Sequence, residues 1–187
     1  MKAATAALSV LLLAAPAAAA DTVVPPTLPP PRPYTNEVFV GVYAHDVGTP
    51  LNLRGFGEGV DFQLGWRGRR MRGLSTIGSP SPYAFVVVNT GGDVHYAAAG
   101  ISWKIGRRVY VRPGIGLAVH TAPSFDGPRP ERSLGSRILF EPEIAVGVQA
   151  SNRISVEASL IHMSHATLLD DHNPGIDNIG LRLNYRF

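Results

Sequence analysis

From Asn36 to Phe187 apolar and polar residues alternate with a period of two, and Gly, Pro, Asn and Asp interrupt the alternation at intervals. Period two belongs to a strand, whose successive side chains point to opposite faces; a helix with one buried face needs a period near 3.6. Eight stretches carry the pattern: NEVFVGVYAHD (36–46), EGVDFQLGWRG (58–68), PYAFVVVNT (82–90), DVHYAAAGISWKI (93–105), RVYVRPGIGLAVH (108–120), RILFEPEIAVGVQ (137–149), RISVEASLIHMS (153–164) and DNIGLRLNYRF (177–187). Each has about the ten residues a tilted strand needs to cross a bilayer. In hydrocarbon every backbone donor and acceptor must be paired within the protein, so such strands have to close into a barrel.

The two faces of the strands sharpen this expectation. In 137–149 one parity reads Ile138, Phe140, Pro142, Ile144, Val146, Val148 and the other Leu139, Glu141, Glu143, Ala145, Gly147, Gln149. In 108–120 a row of Val109, Val111, Pro113, Ile115, Leu117 and Val119 opposes Arg108, Tyr110, Arg112, Gly114, Gly116 and Ala118. A soluble sandwich or a lipocalin-like barrel also has one apolar face per strand. Glycines mixed with Glu141, Glu143 and Arg112 suit instead the narrow interior of a small barrel, where charges can pair, with the apolar rows facing lipid. The row Ile179, Leu181, Leu183, Tyr185, Phe187 ends on an aromatic, as in the sorting signal of bacterial outer-membrane proteins. The fold expected is therefore all-β, an eight-stranded antiparallel transmembrane β-barrel of the outer membrane over residues 36–187.

Residues 1–20, MKAATAALSVLLLAAPAAAA, have the charged start, apolar run and small-residue end of a signal peptide. Residues 21–35, DTVVPPTLPPPRPYT, are too rich in proline to pair or pack and read as an extended periplasmic leader. Removing residues 1–20 of the 187 leaves 167, enough for one domain, and takes away Lys2 alone from the 17 basic against 14 acidic side chains. That near-balance, with arginines scattered, gives no case for nucleic acid. The chain has no cysteine, so neither disulfides nor a lipoprotein anchor contribute. If the leader starts in the periplasm, both ends of the barrel lie there. The outer connections are then 47–57, a tight turn near Gly91, 121–136 and 165–176. The inner connection 69–81, RRMRGLSTIGSPS, is longer than a periplasmic turn usually is.

One strand breaks its own rule. In 153–164 the apolar parity Ile154, Val156, Ala158, Leu160 continues into His162 and Ser164, and on the next strand the outward parity begins with Asp177. A serine, a histidine and a carboxylate at one height on the lipid-facing wall are the parts of an acyl-transfer site: nucleophile, base and orienting acid. Polar groups there are costly and point to function. The same residues could also merely decorate a polar barrel rim, which is the reading of a non-catalytic structural or interaction barrel.

HMSHATLLDDHNPGIDNIGLRLNYRF resembles the C-terminal signature of the PagL-type lipid A 3-O-deacylases, whose pattern is His-x-Ser-Asn followed by Asn-x-Gly-x-acid. The likeness extends upstream through NEVFVGVYAHDVG, VNTGGDVHYAAAGISW, GIGLAVH and LGSRILFEPEIAVGV. It implies an outer-membrane esterase that releases the acyl chain at position 3 of lipid A, with His162 as base, Ser164 as nucleophile and Asp177 as acid. It implies no metal and no other cofactor, and lipid A or lipopolysaccharide as the substrate partner; a homodimer is left open. Asn173 and Gly175 match the pattern and are candidates for settling the oxyanion. Two departures stand out: Asp177 where the family often has Glu, so that a shorter side chain has to reach the histidine, and His165 where it has Asn, a candidate positioning residue. Arg54, Arg129 and Arg132 in outer connections are candidate contacts for lipid A phosphates, against the simpler reading of solvated loop charges. His162, His165 and His172 with Asp170 and Asp171 follow no recognised metal-ligand spacing.

Overall fold

A computed structural model describes residues 36–50, 57–92, 94–123, 133–169 and 173–187. The signal and leader segments, Arg54, Arg129, Arg132, Asp170, Asp171 and His172 lie outside the described residues.

Among the described residues there are nine strands: β1 (Glu37–Ala44), β2 (Val60–Arg67), β3 (Ser81–Asn89), β4 (Tyr96–Ser102), β5 (Ile105–Gly106), β6 (Val109–His120), β7 (Ile138–Gln149), β8 (Ile154–Met163) and β9 (Ile176–Arg186). All pairings are antiparallel; β1 pairs with β9, and β4 with β6, which closes the sheet. β4 and β5 are one arm of the barrel, because both pair with β6 in the same register, Ser102 opposite Gly114 and Ile105 opposite Val111. The gap falls opposite Pro113: Trp103 donates its N–H to the Pro113 carbonyl at 2.9 Å, and proline has no N–H to return. The barrel thus has eight arms, as the alternation predicts.

The apolar rows face outward. Ile138, Phe140, Ile144, Val146 and Val148 are exposed on the wall while Leu139, Glu141, Glu143 and Ala145 are buried behind it. The lumen holds a charge network instead of a water channel's open wall. Arg182 bonds Glu143 at 2.7 Å and reaches Glu157 at 3.4 Å, Arg112 bonds Glu157 at 2.7 Å and Glu37 at 3.2 Å, and Arg67 and Arg186 also hold Glu37, at 2.8 and 3.1 Å. Four guanidinium groups therefore interlock with three carboxylates, so no charge in this group is buried alone, and burial is tolerable on that condition only. Large lumen side chains are accommodated by glycines on neighbouring strands: a Cβ on Gly147 would collide with the Tyr110 ring, and one on Gly65 with the Phe39 ring. Alternating large and small residues in this way fills a narrow barrel without stretching it.

The long connection between β2 and β3 has its own structure. Arg72–Ile77 form a 3-10 turn ended by Gly78 at φ 87°, in the left-handed region that costs glycine little. Met71 N–H bonds the Pro80 carbonyl at 2.7 Å, and Arg70 donates to the carbonyls of Gly78 and Ser79 at 2.9 and 3.0 Å. The indole N–H of Trp103 donates to Ile77 O at 2.6 Å and ties this segment to the β4–β5 arm.

Candidate active site

The last hairpin aligns His162 of β8 with Asp177 of β9 as directly opposed residues. Opposed side chains on an antiparallel pair lie within reach of one another, so the meeting of the two is a consequence of register. His162 Nδ1 and Asp177 Oδ1 are 2.5 Å apart, and His162 Nε2 and Ser164 Oγ 2.9 Å. Ser164 is two residues beyond His162 and hence on the same face. Its backbone is fixed to β7: Ser164 N–H bonds the Phe140 carbonyl at 3.1 Å, and Phe140 N–H bonds the Ser164 carbonyl at 2.8 Å. The chain of contacts runs acid, imidazole, hydroxyl, with each imidazole nitrogen engaged on the side an acyl-transfer site requires.

The three groups belong to the outward parity of the wall, at the end remote from Phe187. They are not equally open. Ser164 and His162 are half-buried, whereas Asp177 is fully buried. The cover comes from the chain just past β1. Val47 N–H bonds the Asp177 carbonyl at 2.7 Å, Asp46 N–H bonds Asn178 Oδ1 at 2.9 Å, and the Thr49 hydroxyl donates to Asp177 Oδ2. Each carboxylate oxygen of Asp177 thus has its own partner, the imidazole on one and Thr49 on the other. Behind them Asn178 Nδ2 donates to Tyr96 OH at 2.9 Å, fixing β9 to β4 across the lumen. The expected presentation of all three groups sideways to lipid is accordingly refined: the serine and histidine keep an outward opening and the acid is shielded.

The two departures from the family pattern have different outcomes. Asp177 spans the distance to His162 because the residues are directly opposite, and the shorter side chain asks for no strand shift. His165 has the other parity from Ser164, and its side chain is fully buried, so the structure does not bring it to the serine hydroxyl. Its backbone N–H bonds Asn173 Oδ1 at 3.0 Å. His165 and Asn173 therefore act together as a clasp between the two ends of the connection that follows the serine. Gly175 sits at φ 69°, and a Cβ there would come to 3.3 Å from His162 Cε1 and 3.8 Å from Ser164 Cβ, so its bare backbone runs along the imidazole edge. Ala166 and Thr167 also have positive φ, at 52° and 57°, which turns the chain sharply away from the serine. Leu168 and Leu169 stand exposed just beyond.

Thr49 and Asn178 are the contacts that the sequence reading omits. Thr49 lies 128 residues from the carboxylate it touches, and a threonine in a Gly-Thr-Pro loop carries no local signal of that role. Asn178 stands beside a singled-out acid in a strand of otherwise alternating apolar residues, which is a usable hint.

Comparison with known proteins gives one consistent answer. A family model described as Lipid A 3-O-deacylase (PagL) matches residues 40–186. The lipid A deacylase PagL of Bordetella bronchiseptica (strain ATCC BAA-588 / NCTC 13252 / RB50) is 34% identical over 87 residues, which are 46% of this chain and 45% of that protein. The match thus spans a little under half the length of that relative. A crystal structure of the outer membrane enzyme PagL has 22% identity and a TM-score of 0.56, covering 80% of this chain and 98% of the other. One of Neisserial surface protein A has 9% identity and a TM-score of 0.53, covering 83% and 98%. At these identities the two structures speak for the barrel fold.

Proposed function

The chain belongs to the lipid A 3-O-deacylase (PagL) family, and from that premise we propose that it is an outer-membrane esterase which hydrolyses the 3-O-linked acyl chain of lipid A. The observation that carries the reading is the ordered contact chain Asp177–His162–Ser164 on the outer wall of the barrel, with lengths of 2.5 and 2.9 Å.

In the reaction, Ser164 Oγ attacks the ester carbonyl carbon while His162 Nε2 takes the hydroxyl proton. Asp177 holds the ring with Nδ1–H toward itself and steadies the imidazolium. Collapse of the tetrahedral intermediate breaks the bond to the sugar oxygen at position 3, which receives the proton from His162. The acyl group is then on Ser164; water, deprotonated by His162, releases it as a free 3-hydroxy acid and restores the serine. The oxyanion needs donors on the side of Ser164 away from the imidazole, and Asn173 and Gly175 in the adjoining connection are the residues proposed to supply or orient them. His165, through its bond to Asn173, positions that connection.

Location favours this chemistry. Lifting a multi-acylated lipid into water costs roughly 0.8 kcal/mol per methylene. A site on the outer wall meets the ester where the lipid already lies, just below its sugar headgroup, and the half-buried serine opens in that direction. Thr49 contributes by fixing the second oxygen of Asp177, which leaves the first aimed at the imidazole.

The test is to express the full chain in a bacterium whose lipid A is fully acylated and to weigh the lipid. The reading requires the loss of one 3-hydroxyacyl group, abolished by Ser164→Ala and His162→Ala. Unchanged lipid A with well-folded protein in the outer membrane would favour a purely structural barrel.

A further inference from the structure

The end of the barrel opposite the candidate active site carries an unusual distribution of charge. Arg69, Arg70, Arg72, Arg107, Arg108 and Arg153 are all exposed there. Residues 68–80, 103–108 and 150–153, which make up the three connections of that rim, contain no Asp or Glu. Glu37, the first residue of β1 at that end, is buried in the lumen and held by Arg67, Arg112 and Arg186. Arg69, Arg107 and Arg108 therefore stand in connections that supply no Asp or Glu side chain.

An apolar patch adjoins this collar. Leu74 and Ile77 of the 3-10 turn are 38% and 51% exposed. The turn is no free loop: Trp103, whose indole holds Ile77 O at 2.6 Å, has the same parity as Ile105 on the outer wall. Gly78 lies against that indole as well, since a Cβ there would come to 3.3 Å from Trp103 Cδ1. The segment is thus folded against the lipid-facing side of the β4–β5 arm. Trp66, Ile105, Tyr185 and Phe187 are exposed at the same end, and Arg153 bonds Tyr185 OH at 3.2 Å. Aromatic groups at the edge of the apolar band with guanidinium groups beyond them match the boundary between acyl chains and headgroups.

We propose that residues 69–80, together with Arg107 and Arg108, form a binding surface for the anionic phosphoglycerol headgroups of the bilayer leaflet at that end. Leu74 and Ile77 enter the acyl-chain boundary, and the arginines meet the lipid phosphates above it. The occupant follows from two observations taken together: arginines gathered in connections without acidic side chains select an anionic partner, and continuity with the lipid-facing wall makes that partner a lipid surface. A guanidinium donates to phosphate in a fork, which favours Arg for this contact. This explains why the inner connection is longer than a turn: it is a folded foot on the membrane surface. The inference rests on the barrel's place in a membrane and is independent of the serine chemistry.

The test exploits the absence of cysteine from the chain. A bimane label on Ser75→Cys in the full-length protein is reconstituted in phosphatidylcholine bilayers doped with nitroxide-labelled phosphatidylglycerol or, at equal mole fraction, nitroxide-labelled phosphatidylcholine. The proposal expects phosphatidylglycerol to be enriched at the label roughly threefold or more at low salt, since each surface cation contributes to the attraction. The preference should fall in high salt and collapse in Arg69→Gln/Arg107→Gln/Arg108→Gln, exposed substitutions that leave heat-modifiable gel mobility unchanged. Equal quenching by the two lipids, or a preference that survives the triple substitution, overturns the headgroup site. A second label at Leu74→Cys that emits as in water and is quenched by neither lipid overturns the seating of the segment itself. Lipid A deacylation measured on the same triple variant separates the two readings, because the foot lies at the other end of the barrel from Ser164.

Discussion

The lumen and the outer wall of this barrel use the same kinds of residue in opposite ways. Inside, Glu157 is held by Arg112 and Arg182 and by the Tyr110 hydroxyl at 2.9 Å, so its charge is answered from several directions. Outside, His162 has one partner on each ring nitrogen, in a line that ends on a half-buried hydroxyl. A carboxylate gripped on all sides does structural work and has nothing left to give a substrate. A line of single contacts ending at an opening can pass a proton. Parity separates these two fates on a single strand, since Glu157 and His162 both belong to β8, five residues apart.

That contrast can be broken from either side, and the expected effects differ in kind. Ser164→Ala should lower deacylation on the order of a thousandfold or more while leaving the folded barrel unchanged, as read by released acid and by heat-modifiable gel mobility. Glu157→Leu should do the reverse. It leaves Arg112 and Arg182 short of a buried counter-charge, and breaking such a pair costs about 3–5 kcal/mol, seen in urea titration of the barrel in lipid vesicles. Gly147→Val should destabilise by about 1–3 kcal/mol in the same titration, because the added methyls meet the Tyr110 ring. Thr49→Val should reduce kcat about tenfold with little change in KM, the loss of one hydrogen bond to a charged group, and Thr49→Ser should recover most of it. The smallest effect is expected of His165→Asn: activity within about twofold, because its side chain has the parity opposite to Ser164 and its contact with Asn173 runs through the backbone.

Much of this architecture is legible in the sequence because a barrel strand is a simple code. Eight alternating stretches forecast eight arms, and the outward row of β7, from Ile138 to Val148, is the one read from parity. His162 and Ser164 stand out for the same reason: a polar residue in an apolar row is visible without coordinates. The interruption between β4 and β5 was also within reach, since it needs only Pro113 on the facing strand, but recognising it requires the cross-strand register. Thr49 was beyond reach. Its position over Asp177 depends on how the chain leaves β1 and folds back over β9, a long-range event that no local spacing encodes. The foot at 69–80 is an intermediate case, too long for a turn by count, and explained by where Trp103 lies in space.

The proposed chemistry faces its most direct test with purified protein, lipid A in mixed micelles and water enriched in oxygen-18. Cleavage through an acyl-serine intermediate predicts the heavy oxygen in the carboxylate of the released 3-hydroxy acid, none in the sugar hydroxyl at position 3, and no release from Ser164→Ala. Heavy oxygen on the sugar, or undiminished release by the alanine variant, would contradict it.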